Sequence, residues 1–423
     1  APLPTGKKLS GSMKLIALGA TLVVIMGLGW GAFAIWEEGM ARVDAVEASG
    51  ETGRSFSSLA GEGLAATLPE ASQGQELARK AALMVLDKGG KVTIEQGGQR
   101  WDLWEKSLLP TGLFDLIEVR IGTQNGKPVP VGPSDMELLA GMRKLERLDF
   151  WGVGVSDESL ACLEAFPALR SLALNQCKSL TDKAMVHVAR VKELRSFGVE
   201  ATAGIGREGL KQLAALNKLE ALYLSNLPFL DDAILPVLQG AGALKSLHLH
   251  GCTQVDKEFV ESLSKLPELS ELYLSIQQLN PAANMSGFKK LKVLRIYYDE
   301  VKTVDAEAMK SLGSLSQLDV LQLVRLELTE PQIMEMAGWS WLRTLMLDNV
   351  KLPASGLAGL AKGVVGRLEI GPSDRLFDQT SLNSLVGVRS LSEIQLPPKT
   401  LLSTAEIEAF RRVRPDVRVE RRK

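Results

Sequence analysis

The chain is poor in the residues that most often mark chemistry. Among 423 residues there are three cysteines, three histidines and 5% aromatics. The odd cysteine number (Cys162, Cys177, Cys252) excludes a complete intramolecular disulfide set. No CxxC pair and no Cys/His cluster is present, so no structural zinc site is expected. There is no P-loop, no GxGxxG opening a helix, no GxSxG and no HExxH. No nucleophile–base pair stands out, so the chain is not expected to be an enzyme, and no cofactor is expected. Charge of one sign is also lacking: 49 Lys+Arg against 50 Asp+Glu leave a net charge of −1. A nucleic-acid partner, which needs a basic face, is not expected.

What is present begins with one long apolar run. Leu15 to Trp36 comprises 22 residues without a charge, and a bilayer core takes roughly 20 helical residues. Lys7, Lys8 and Lys14 precede it, and Glu37 and Glu38 follow. The positive-inside rule then puts residues 1–14 in the cytoplasm and everything after Trp36 outside it, periplasmic or at the cell surface, with Trp30 and Trp36 near the outer interface. A signal peptide starting at Met13 and cut after Ala32-Phe33-Ala34 is the rival reading. The stretch 1–14, with its two prolines, reads as a juxtamembrane linker. It fits the plan of a longer signalling protein, such as a bacterial membrane serine/threonine kinase with an external sensor.

Residues 37–75 are rich in Gly, Ser, Ala and Glu and read as a stalk, with a short helical extension of the span to about Ala48. From Glu76 the pattern turns helical, with Leu77, Ala81, Val85 and Leu86 on one face. Gly89-Gly90 stops that helix, and Lys91–Gln96 then alternates as a strand. A stacked array needs an end cap, and residues 76–112 are the candidate. Trp101 and Trp104 are expected to pack inside it.

The strongest signal is a repeat. LRSLAL at 169–174, LEALYL at 219–224, LKSLHL at 244–249, LSELYL at 269–274, LKVLRI at 291–296, LDVLQL at 318–323 and LRTLML at 342–347 share one apolar spacing. Weaker copies begin at 116, 145, 194, 365 and 391, and Pro415–Val419 reads as a last, degenerate strand. Alternation within each copy predicts a strand with one buried face. Helix starts follow: Thr181-Asp182 before Met185, Val255-Asp256 before Phe259, Val304-Asp305 before Met309, Leu402-Ser403 before Ile407, and Thr329-Glu330-Pro331. Each unit is strand, loop, helix, return. No unit can bury its own apolar face, so the units stack, with strands on the concave side and helices on the convex side. The basic run from Arg411 to Lys423 reads as a solvated final cap.

These copies resemble the leucine-rich-repeat family. LALNQCKSLTDKAM, with Cys177, and LHLHGCTQVDKEF, with Cys252, look like its cysteine-containing and ribonuclease-inhibitor-like types. At the Cys position other units carry Leu227, Asp299, Leu326 or Val350, which departs from that subtype. The resemblance covers about residues 116 to 419. It implies an α/β solenoid over residues 113–423 that acts as a binding scaffold for a protein or peptide. Cys177 and Cys252 are expected to be buried thiols, too far apart for a disulfide; Cys162 is expected to pack in the core.

Side chains alternate along a strand, so the residue between the last two apolar positions of each copy, with those two before and two after it, faces the concave side. These positions hold Trp151, Tyr223, His248, His250, Tyr273, Arg295 and Tyr297; Tyr298 is adjacent. Tyr, Arg and Trp anchor interfaces more often than other residues, so these seven are the candidate partner-binding set, expected to be exposed. The third and fourth copies offer only Ser171, Ala173, Ser196 and Gly198, a shallow floor. Two other readings stay open: that the rings stack across strands merely to stabilise the sheet, and that the molecule is a structural envelope spacer. His248 and His250 lack an acidic or cysteine ligand beside them, so no metal is assigned.

Overall fold

The computed structural model of the protein describes residues 68–423 except 276, 278–282, 373–375 and 423, with side chains from residue 74 onward except 298–303. The expected span 15–36, its flanks and the stalk up to residue 67 lie outside the described residues. Among the described residues no helix is long and apolar enough to cross a membrane.

Helix α1 (Leu68–Asp87) opens the described chain. It begins within the segment expected to be a flexible stalk. Ala78, Ala81, Ala82, Val85 and Leu86 are buried along one side, the spacing of a helix that covers a sheet. Gln75 ties the helix to the first unit: its Nε2 donates to the Gly112 carbonyl at 2.8 Å and its Oε1 accepts from the Phe114 amide at 3.1 Å. Gly89, at φ 68°, makes the turn into β1 (Lys91–Gln96). Gly97-Gly98, both with positive φ, closes a hairpin to β2 (Gln99–Leu103), a strand the sequence reading did not separate. The tryptophans of this cap depart from expectation. Trp101 and Trp104 are 53% and 51% exposed. β2 is the outermost strand, so Trp101, paired with Ile94, has a neighbour on one side only.

After the cap come β3 (Asp115–Ile121), β4 (Pro130–Val131), β5 (Arg147–Trp151), β6 (Gly154–Val155), β7 (Ser171–Asn175), β8 (Ser196–Glu200) and β9 (Ala221–Ser225). Then follow β10 (Ser246–His248), β11 (Glu271–Ser275), β12 (Val293–Thr303), β13 (Val320–Glu327), β14 (Thr344–Asp348), β15 (Arg367–Ile370), β16 (Glu393–Leu396) and β17 (Arg418–Arg421). All but β4 and β6, which pair with each other, lie in a single sheet of 15 strands. From β3 onward each strand of it pairs in parallel with the next unit's, in register: Leu222 opposite Leu247, Leu247 opposite Leu272. The twelve copies and the degenerate last one each supply a strand. One continuous core runs from Ala78 to Val419.

The helical side is shorter and tighter than a row of α-helices. The expected starts hold: Thr181, Asp256, Asp305 and Ser403 each cap a helix by accepting an amide of its first turn. Elsewhere a return is made by 3-10 turns, as at Leu163–Ala165, Gln212–Ala215 and Ala358–Lys362. Strands sit about 4.8 Å apart while helices need 8–10 Å, so short returns let the two sides grow together.

Seven units carry a left-handed residue near the end of their strand. Gly152, Gln176, Ala201, Asn226, Gly251, Arg325 and Asn349 all have φ between 47° and 73°. The amide of Gly152 donates to Asn175, that of Gln176 to Glu200, that of Ala201 to Ser225 and that of Asn226 to His250, at 2.7–3.1 Å. This second ladder joins successive units where the chain leaves the sheet.

Cys177 and Cys252 are buried thiols outside any disulfide. Burial pushes both thiols up to about 12. Leu227, Leu326 and Val350, at the same place in other units, are equally buried, so a thiol serves here as a small apolar group. Cys162 is half-buried against the core. The final cap differs from a merely solvated basic run. Arg414 is buried; its Nη atoms donate to the carbonyls of Leu385, Val386, Val388 and Leu391 at 2.9–3.3 Å and pair with Asp416 at 2.7 Å.

Candidate functional site

In each strand the leucines point to the core and the residue between them points away. Register then lines those residues up across the sheet. From β5 to β15 the central row reads Asp149, Ala173, Gly198, Tyr223, His248, Tyr273, Arg295, Gln322, Met346 and Glu369. A second row lies two residues further along; Ser275, Tyr297, Val324 and Asp348 are aligned there.

The two rows form parallel stacks. In the central row the Tyr223 and His248 rings lie 4.3 Å apart, and His248 and Tyr273 lie 3.5 Å apart and nearly parallel. The Arg295 guanidinium caps the Tyr273 ring at 5.1 Å. In the second row His250 tilts against Tyr297 at 5.0 Å, and the Arg325 guanidinium lies over Tyr297 at 5.3 Å. Tyr223 also packs with Ala173 and Ala221, against the small-residue floor.

Six of the seven candidate residues are thus brought together. The seventh, Trp151, is half-buried on β5, with β7, β8 and β9 between it and the strand of His248. The six are not exposed as expected. Tyr223, His248, His250, Tyr273, Arg295 and Tyr297 are only 2–7% accessible. The cause is the strand spacing: side chains about 4.8 Å apart, each carrying a flat ring, cover one another's faces. The side chain of Tyr298 lies outside the described set.

Burial sets the protonation of the row. His248 is held well below the ordinary histidine value, first by burial and then by the charges of Arg295 and His250, so it is neutral at pH 7. Its Nε2 is buried without a hydrogen-bond partner among the described residues. On β8, Glu200 is pushed up to about 7 by burial, against the lowering effect of the Asn226 amide, which donates to it at 3.1 Å. Among the described residues no group of three or more His, Cys, Asp or Glu side chains converges as a metal site would require.

Arg325 was missed by the alternation argument. Leu321 and Leu323 face the core, so strict alternation puts residue 325 there as well. The left-handed backbone at Arg325, φ 56°, breaks the two-residue period and turns its side chain out over Tyr297, while Leu326 returns to the core. The available signal was the spacing itself: at that place four sister units carry Gly or Asn and two carry Gln or Ala.

A family model described as a leucine-rich repeat region matches residues 151–356. No curated protein matches the sequence. Similar solved structures include an internalin (InlF) from Listeria monocytogenes, 15% identical, with a TM-score of 0.40 over 73% of this chain and 90% of that one. Another is the complex of Rad7 and Elc1 in yeast, 17% identical, with a TM-score of 0.40 over 68% of this chain and 83% of that one.

Proposed function

We propose that this leucine-rich-repeat protein is a non-enzymatic binding module that takes a protein or peptide along its concave sheet, over β9 to β13. One observation carries the reading: the chemistry of that face is uneven. Toward its two ends the arginines are matched by acids, Arg120 with Asp149 at 3.3 Å, Arg147 with Glu118 at 3.6 Å, Arg367 with Glu369 at 2.8 Å and Arg418 with Glu393 at 3.1 Å. Between them lie the two ring stacks, with Arg295 and Arg325 over tyrosines. Aromatic and guanidinium groups concentrated on one stretch are the usual anchors of an interface.

Peptides selected from a random library against the purified chain test this. Bound peptide should slow amide hydrogen exchange in β9 to β13. Protection confined to the convex side, or no selected peptide at all, defeats the reading. The burial of the rings favours a second reading, a structural envelope spacer, and the second of those outcomes would support it.

We further assign residues 15–36 as a single membrane span that leaves the repeats outside the cytoplasm. The uncharged run and the lysine-before, glutamate-after asymmetry support this. Reporter fusions at the C-terminus decide it: a cytoplasmic signal ends the reading, and a soluble product beginning near Ile35 favours signal-peptide cleavage. Within the family, Cys177 and Cys252 support the cysteine-containing repeat type.

A further inference from the structure

We propose that Arg325 anchors a carboxylate-binding site on the concave face, so that the partner is an acidic peptide segment. The inference rests on the concave face being the binding face and names what it binds.

Two observations meet at this residue. The first is its backbone. Arg325 occupies the left-handed position that sister units fill with Gly152, Gln176, Ala201, Asn226, Gly251 or Asn349. In this unit that backbone carries the guanidinium out of the core and over the Tyr297 ring. The second is its pairing. Arg325 has no hydrogen bond or ion pair among the described residues; its guanidinium lies over the Tyr297 ring. Asp348, on the next strand in register with Val324, makes no ion pair with it. The arginines toward both ends of the face, by contrast, each meet an acid.

A guanidinium carries its N–H donors along the edge of its own plane. That edge fits a planar carboxylate with two parallel hydrogen bonds. The tyrosine below lowers the water contact of the cation and fixes its position. One such cation balances one negative charge, the charge of a single carboxylate. His250, packed against Tyr297, holds that ring from the other side.

The test uses the full chain in detergent, with fluorescein-labelled hexaglutamate as probe and hexaglutamine as its neutral counterpart. Hexaglutamate should bind more tightly than hexaglutamine, and salt should weaken it. Arg325→Gln should weaken binding at least about tenfold, and Arg325→Lys should lie between. Arg325→Gly should lose binding equally while raising Tm, because it relieves the backbone; this separates a lost site from a damaged fold. Equal binding by wild type and Arg325→Gln, equal binding of the two probes, or no hexaglutamate binding up to about 1 mM overturns the proposal. Library-selected peptides that protect β9 to β13 without any dependence on Arg325 would overturn it too, and would leave the concave binding function standing.

Discussion

His248 lies face to face with Tyr273, ring centroids 3.5 Å apart and planes 15° from parallel. The pair sits in register on neighbouring strands, and both residues are almost fully buried. Each ring therefore serves as the other's wall. Removing one opens a gap in a row with nothing else to fill it. Tyr273→Ala should cost about 3 kcal/mol, in the range of large-to-small aromatic substitutions. Tyr273→Phe, which keeps the ring, should cost less than half as much. Chemical denaturation of the two variants measures the difference.

The same burial makes stability depend on pH in two opposing ways. His248 has its pKa lowered, mainly by burial, so the unfolded chain takes up a proton that the folded chain refuses. Its contribution is full above about pH 6.5 and is lost as pH falls below that. Glu200 behaves oppositely. Its carboxyl, raised from 4.5 to about 7 by burial, is protonated when folded and ionised when unfolded between those values. Stability is therefore lost as pH rises through that window, by about 3 kcal/mol in all. Glu200→Gln should make the protein more stable than wild type at pH 8 but not at pH 4.5. His248→Phe should flatten the fall below pH 6.5. Melting curves between pH 4.5 and 8 would show either slope unchanged if these groups are wrongly assigned.

Ala201 holds φ 47°, where Gly152 and Gly251 stand in other units. A Cβ in this conformation meets the following carbonyl, at a cost of about 1 kcal/mol. Ala201→Gly should therefore stabilise the fold by roughly that amount, less the added freedom of glycine when unfolded. The converse, Gly251→Ala, should destabilise more strongly, since its Cβ would collide with the side-chain oxygen of Asn226. Denaturation midpoints of the two variants should move in opposite directions.

Arg414 stitches the last unit to the one before it through four carbonyl oxygens. Its replacement by leucine leaves those acceptors without their donor, a loss of about 3 kcal/mol or more. The effect should be local. Hydrogen exchange should rise in β16 and β17 and stay unchanged near β3, because each unit of a solenoid contacts only its neighbours.

The repeat was legible in the sequence because its rule is local. An apolar residue at fixed offsets buries itself wherever the unit lies, so the copies at 169, 219 and 244 predict their strands without knowledge of the rest. The helix caps at Thr181, Asp256, Asp305 and Ser403 were legible for the same reason: a side-chain oxygen meets an amide two or three residues away. Alternation also placed Tyr223, His248, Tyr273 and Arg295 on the concave face. It could not say that they would be buried there, because burial came from neighbours 22 to 25 residues distant in the chain and brought alongside only by strand register. Arg325 escaped the reading altogether, since one left-handed residue resets the period that the argument counts on. Trp101 and Trp104 misled it in the other direction. Their size marks them as core residues, but a side chain is buried only if something lies beyond it, and β2 is where the sheet ends.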